Sequence, residues 1–191
     1  MVQIANENKT AYAILGLLNH EPLSGYDIRK RIEASIGLFW DAGYGQIYPA
    51  LKKLADNGLA EGQPEKSGGR PDKKVYRITE KGRKELEKWL VEPTAKEYVR
   101  YEVLLKLFFG SIVDTERNIE TIKEFRARYT ELLGTLEGYE RNLRRVLPES
   151  QDHLYYLLTV RFGLHIYRAY LDWADEALEM LGNKAKIFGH N

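Results

Sequence analysis

Between Lys66 and Lys74 the chain sets four cations, Lys66, Arg70, Lys73 and Lys74, around the pair Gly68 and Gly69, with Asp72 as the one anion among them. Ammonium and guanidinium groups on a glycine turn suit phosphate, because glycine lacks the Cβ that would hold the backbone off an anion. A second set lies in the run GQIYPALKKLADNG. At helical spacing Tyr48, Lys52 and Lys53 share one face, while Ile47, Ala50, Leu51 and Leu54 share the other. Gln46 stands at the start of that helix, the end that reaches base edges when a helix enters the DNA major groove. Either set alone also describes an ordinary solvated loop or outer helix face. Their occurrence together points to nucleic acid.

Other chemistries find no support in the residue types. Of the four histidines, His153 and His165 fall on one predicted helix but far apart, without companions at metal-ligand spacing. No metal site is expected. There is no G-x-S-x-G elbow and no phosphate loop, so neither enzymatic activity nor a cofactor is expected. The absence of cysteine excludes disulfides, thiolate zinc sites and cysteine nucleophiles, and it fits a reducing compartment. No stretch is long and apolar enough for a membrane span, and the opening MVQIANENKT lacks the basic start and apolar core of a secretory signal. A cytoplasmic location without membrane contact is therefore expected. The net charge of +1 selects no partner, so local clustering has to.

Positioning these groups requires a scaffold, and the periodicity supplies one. KTAYAILGLLNH reads as a first helix with Thr10 as its cap and with Ala13, Ile14, Leu17 and Leu18 on its inner face. Ser24 caps a second helix that buries Ile28 and Ile32 and stops at Gly37. The third should begin near Gln46, because Pro49 is tolerated in a first turn, and it should end at Gly58. LAEG and KVYRIT form a hairpin with a long polar tip. Thr79 caps a fourth helix that buries Leu86, Trp89 and Leu90 and is stopped by Pro93. Three helices, a two-stranded wing and a closing helix make a winged helix-turn-helix.

Beyond Pro93 the pattern turns fully helical. TAKEYVRYEVLLKLFFGSIV predicts one helix with a wide apolar face, and Asp114 caps the next. That next helix carries heptad series: Ile122, Tyr129, Leu136 and Leu143, with Phe125, Leu132, Tyr139 and Val146 interleaved. After Pro148, Ser150 starts a partner helix with Leu157, Leu164, Leu171 and Leu178. Two such helices hold more apolar surface than a short hairpin needs, and the surplus implies a second copy. Tyrosines in this half fill a core, and between packed helices they could also line a cavity for a small aromatic or phenolic effector.

The residues carry a likeness as well. AYAILGLLNHEPLSGYDIRK, FWDAGYGQIYPALKKLADNGLA and GRPDKKVYRITEKGRKELEKWL resemble the PadR family of bacterial transcriptional regulators over residues 10 to 92. The second half is more loosely similar to the long-tailed branch that includes the AphA-type virulence activators. The resemblance implies a dimeric winged-helix repressor or activator, in some members released from DNA by small molecules. It places DNA contacts on Tyr44, Gln46, Tyr48 and Lys52, and on Arg70 and Lys73 of the wing. Gly43 departs from the small hydroxyl residue often found there, so a cap or phosphate contact from that side chain is absent.

The combined expectation is a mainly α protein with a small β-wing. Residues 1–92 form a winged helix-turn-helix that binds a double-stranded DNA operator through Tyr44, Gln46, Tyr48, Lys52, Lys53, Arg70, Lys73 and Lys74. Residues 93–191 form an all-helical, coiled-coil-like domain that makes a homodimer through Ile122, Phe125, Tyr129, Leu132, Leu136, Leu143, Leu157, Leu164 and Leu171. The alternative is an interaction adaptor on the same scaffold, which would have no need of the basic hairpin tip.

Overall fold

The computed structural model describes residues 9–37, 39–65, 73–96 and 99–187, so Arg70 and Lys66 of the wing tip lie outside the described residues. The chain forms two compact units, Met1–Lys96 and Glu97–Asn191. In the first, α1 (Thr10–His20), β1 (Leu23–Ser24), α2 (Gly25–Ala34) and α3 (Tyr44–Asp56) precede the hairpin of β2 (Ala60–Glu65) and β3 (Lys73–Ile78), and α4 (Glu80–Leu90) follows it.

The core of this unit gathers Ile14, Leu15 and Leu18 of α1, Ile28 and Ile32 of α2, and Ile47, Leu51 and Leu54 of α3. Each helix contributes residues three or four apart, which is how one stripe of a helix faces a common centre. Gly58 ends α3 with φ of +67°, a left-handed conformation that glycine adopts without a Cβ clash. Thr79 caps α4 by accepting a hydrogen bond from the Gly82 amide at 3.0 Å.

Local details depart from the sequence expectations. Lys9, not Thr10, is the N-cap of α1, and Thr10 is buried inside the helix. α3 begins at Tyr44, two residues early, so Pro49 sits in its second turn and leaves the Gly45 carbonyl without its helical donor. The hairpin pairs as far as Glu65 with Lys73, which extends the strands beyond LAEG and KVYRIT and moves Lys73 from the tip into β3. A third strand, β1, joins the sheet in the order β1-β3-β2. Leu90 is 65% exposed, because α4 packs on α1 through Leu86 and through Trp89, whose ring stacks on Tyr12 at 4.5 Å.

The second unit holds α5 (Glu102–Phe108), a turn of 3-10 helix at Gly110–Ile112, two helices of 32 residues, α6 (Thr115–Val146) and α7 (Gln151–Gly182), and the short α8 (Lys184–Ile187). α6 and α7 are antiparallel: Glu140 meets Arg161 near the connecting turn, and Arg126 meets Asp175 near the open end. The Arg126–Asp175 pair is exposed and contributes little energy. Burial holds the hairpin, through Ile122, Phe125 and Leu136 on α6 and Leu157, Leu164 and Ala174 on α7. Gly163 lets Leu136 close the gap, since a Cβ there would lie 2.7 Å from the leucine methyl.

Within a single chain the heptad residues assigned to the dimer are not equivalent. Ile122, Phe125, Leu136, Leu157 and Leu164 are buried within a single chain, and Tyr129, Leu132, Leu143 and Leu171 are half-buried. An antiparallel hairpin of this length covers its own seam. The predicted helix over residues 94–113 shrinks to α5, where Val103 and Leu107 pack inward and Phe108 is 82% exposed. Asp114 is the N-cap of α6 by position, but its side chain makes no cap bond.

The backbone contact at Gly82 generates a prediction of sign. Helix propensity alone favours alanine in a helix by about 1 kcal/mol. A methyl at Gly82, however, would overlap the Leu59 carbonyl oxygen, a backbone atom that cannot swing aside. Gly82→Ala should destabilise the first unit by roughly 1–3 kcal/mol, measured by urea denaturation with a probe on Trp40 or Trp89.

Candidate nucleic-acid interface

α3 presents the side chains that its periodicity promised. Ile47, Ala50, Leu51 and Leu54 are buried, while Tyr44, Gln46, Tyr48, Lys52 and Lys53 are exposed. The start of the helix has no side-chain cap, because Gly43 holds that position, and the Gly43 carbonyl takes the amides of Gln46 and Ile47 at 2.9 and 3.1 Å. Arg29 of α2 fixes the approach instead. Its Nη1 donates to Asp41 Oδ1 at 2.8 Å and to the Ala42 carbonyl at 2.7 Å, while Nη2 pairs with Glu33 at 2.6 Å. The planar guanidinium can serve these acceptors together, where a lysine offers a single point charge. The sequence reading missed this role, since Arg29 and Asp41 are twelve residues apart with no motif between them.

Tyr48 lies across the beginning of α2. A Cβ at Gly25 would stand 2.6 Å from its ring, so the glycine makes room for the tyrosine. Tyr44 stacks on Tyr48 with ring centroids 6.0 Å apart. The start of α3 therefore offers two stacked phenols on either side of Gln46 in the chain.

The expected cations are not equivalent. Lys52 is engaged by Asp56 at 2.7 Å, one turn away, and this bond raises its pKa above the ordinary lysine value. Lys73 reaches Asp27 of α2 at 3.2 Å. Lys74 lies 5.3 Å from the centre of the Tyr76 ring, a cation–π contact that leaves its charge unneutralised. Lys53 is exposed on α3.

Asp27 is where the wing meets the helix-turn-helix. The Ser24 hydroxyl accepts from the Asp27 amide at 3.2 Å and donates to its carboxylate at 2.6 Å, and the carboxylate also accepts from the Ser24 amide at 3.3 Å. This is a reciprocal capping box. The Ser24 hydroxyl above all, with Lys73 adding to it, holds the Asp27 carboxyl below the usual aspartate range.

The second unit contributes a different feature. A cavity of about 140 Å³ is lined by Tyr101, Val103, Leu104, Phe125, Tyr170 and Trp173. The hydroxyls of Tyr101 and Tyr170 lie 2.5 Å apart, and Phe125, Tyr129 and Tyr167 extend the aromatic cluster around them. Burial, then the bond to Tyr101, pushes the Tyr170 phenol well above its ordinary pKa, so it stays neutral. Among the described residues no group of histidines and carboxylates could hold a metal.

A helix-turn-helix closed by a paired wing, with phenols, an amide and lysines on the exposed recognition face, defines a winged-helix protein of the transcription-regulator class. Comparison with known proteins agrees. Residues 14–88 match the transcriptional regulator PadR-like family and residues 99–182 match the virulence activator alpha C-terminal domain. Negative transcriptional regulator PadR of Bacillus subtilis is 34% identical over 175 residues, covering 89% of this chain and 96% of that protein. The crystal structure of Bacillus subtilis PadR in complex with operator DNA superimposes with a TM-score of 0.78 at 33% identity, over 90% of this chain and 98% of that one. The complex of the same protein with p-coumaric acid gives 0.72 at 32% identity over the same shares. The Vibrio cholerae virulence activator AphA gives 0.73 at 31% identity, over 92% and 99%. The chain belongs to the PadR-like family of transcriptional regulators.

The capping box can be tested without DNA. Ser24→Ala should cost the first unit about 0.5–2 kcal/mol and move the Asp27 carboxyl back up toward the ordinary aspartate value. A carboxylate whose pKa is depressed by folding stabilises the fold above its unfolded pKa and loses that contribution as pH falls through the folded one. The wild type should therefore lose more stability on acidification than Ser24→Ala, as read by thermal melts across the acid range and by carbonyl NMR titration of Asp27.

Proposed function

We propose that this protein is a homodimeric repressor that binds an inverted-repeat DNA operator and leaves it when a small phenolic compound binds. The observation that carries the DNA reading is the ordered exposed face of α3, where Gln46 stands between Tyr44 and Tyr48 at the end of the helix that enters a major groove. A glutamine amide is chemically able to make a bidentate contact with adenine, and Gln46 is exposed to do so. Tyr44, Tyr48, Lys53 and Lys74 supply phosphate and sugar contacts, and Arg70 at the wing tip is assigned the same role from the sequence. Bacillus subtilis PadR bound to operator DNA is similar over nearly its whole length, which supports the same partner here. Its name supports the negative sign of regulation. Such a regulator acts in the cytoplasm, on chromosomal DNA, and not as an enzyme.

Dimerisation belongs to the second unit in this reading. With the α6–α7 seam closed inside the chain, the surface left for a second copy is the exposed apolar one: Leu154, Leu158 and Phe162 along one face of α7, and Leu105, Phe108 and Ile112 around α5. A single winged helix covers one half-site and has too few contacts for a strong specificity ratio, so pairing is what gives operator selectivity.

The effector class follows from the aromatic cavity and from the p-coumaric acid complex of the similar PadR. A cavity near 140 Å³ is close in size to an engineered apolar cavity of about 150 Å³ that takes up benzene. It fits one ring.

Selection of genomic fragments by the purified protein should return a site with inverted-repeat symmetry, occupied by two copies as judged by light scattering of the complex. Recovery of no preferred sequence would refute the operator. On the selected site Gln46→Ala should weaken binding by about 1–3 kcal/mol and relax base choice at one position of each half-site. Titration with phenolic acids should release the DNA. Trp173→Ala, which opens one wall of the cavity, should raise the concentration required.

A further inference from the structure

The number of lysines and arginines near the recognition helix overstates the charge available to DNA. Among the described residues of α1, α2 and α3, Arg29 faces Asp41 and Glu33, Arg31 is paired with Glu21, and Lys52 is paired with Asp56. A cation already bound to a carboxylate displaces few counterions when a phosphate approaches, so these three add little to electrostatic binding. Lys30 is different. Its Nζ stands 4.8 Å from the centre of the Tyr26 ring, one helical turn back on the same face of α2. A contact with the face of an aromatic ring brings no carboxylate to the ammonium, so its positive charge is not paired off there. The carboxylate within electrostatic reach is Asp27, which the Ser24 hydroxyl and Lys73 already engage.

The position is as telling as the charge. Lys30 and Tyr26 are both exposed, with Tyr26 at 51%. Tyr26 follows Gly25, against which the Tyr48 ring lies, and Tyr48 in turn stacks on Tyr44 at the start of α3. The four residues thus form one ledge that runs from the outer face of α2 to the base-reading end of α3. In helix-turn-helix docking the helix before the recognition helix crosses the sugar-phosphate backbone beside the groove.

We propose that Lys30, seated on Tyr26, is a phosphate contact of the DNA interface, and that it, rather than Lys52, supplies the cation on this flank of the recognition helix. Tyr26 orients the ammonium over its ring and offers its own hydroxyl to the same backbone. This assignment rests on the DNA-binding reading above and adds α2 to the surface that reading uses.

The test is the salt dependence of binding by the full-length protein. Wild type, Lys30→Gln, Lys30→Arg and Lys52→Gln are titrated by fluorescence anisotropy against the selected operator and against a random-sequence duplex over a series of salt concentrations. Loss of one phosphate contact lowers the slope of log K against log salt by about 0.9. Lys30→Gln should show that drop and weaken binding to both duplexes by the same factor, Lys30→Arg should restore the slope, and Lys52→Gln should leave it unchanged. Both side chains are on the surface, and matching thermal melts exclude misfolding as the cause. A wild-type slope for Lys30→Gln in a protein that still binds DNA would overturn the assignment and leave the regulator reading standing. So would a drop for Lys52→Gln as large as that for Lys30→Gln. Absence of salt-dependent binding by the wild type would overturn the regulator reading itself.

Discussion

The first unit turns on the cap and first turn of α2. Ser24 pairs with Val75 of β3 as the last residue of β1, and in the same place its hydroxyl caps α2 through Asp27. Asp27 then takes Lys73 of β3, and the neighbouring Gly25 makes room for the ring of Tyr48. Wing, positioning helix and recognition helix are thereby referenced to one another through about one turn of backbone. Three separately mobile surfaces could not present a common face to a duplex. Ordering them in advance lowers the entropy that binding would otherwise have to overcome.

That arrangement carries an electrostatic consequence. Asp27 is an anion at the edge of a surface proposed to meet phosphates, and its partner Lys73 is drawn toward the protein. The depressed pKa of the carboxyl keeps it charged at neutral pH. Lys73 therefore acts first as the tie between wing and helix, and its contribution to DNA attraction is reduced by the charge beside it. Arg29 shows the same division of labour: it holds the turn before α3 through Asp41 and the Ala42 carbonyl. Cations tied to carboxylates and cations seated on aromatic rings are different residues, and only their tertiary partners tell them apart.

This explains what could be read from the sequence and what could not. The buried stripe of α3, the Ser24 and Thr79 caps, and the left-handed Gly58 are local properties, written in spacings of three or four residues or in a single residue type, and the chain alone discloses them. Arg29 with Asp41, Lys73 with Asp27 and Gly25 beneath Tyr48 join residues that only the tertiary fold brings together. No periodicity marks them. β1 escaped notice because two residues are too short for alternation to show. The helix expected over residues 94–113 failed for a related reason: an apolar run such as VLLKLFFGSIV satisfies a helical stripe at almost any length, so its pattern could not place the ends of a seven-residue α5.

The second unit shows the same limit for heptads. A 3.5-residue repeat states that a helix buries a seam, and it is silent on whether the opposing helix belongs to the same chain. Here the four-residue connection between α6 and α7 brings the chain's own partner to the seam at a high effective concentration, so the intramolecular pairing wins. The hairpin in turn shapes the aromatic cavity with α5 and the segment before it. Two phenols 2.5 Å apart contain two O–H groups, of which one is used in the bond between them. The accepting hydroxyl keeps its own proton to donate elsewhere. The lining of the pocket is apolar, which suits the hydrocarbon face of a ring, and the resistance of Tyr170 to ionisation keeps a phenolate charge away from it at any physiological pH.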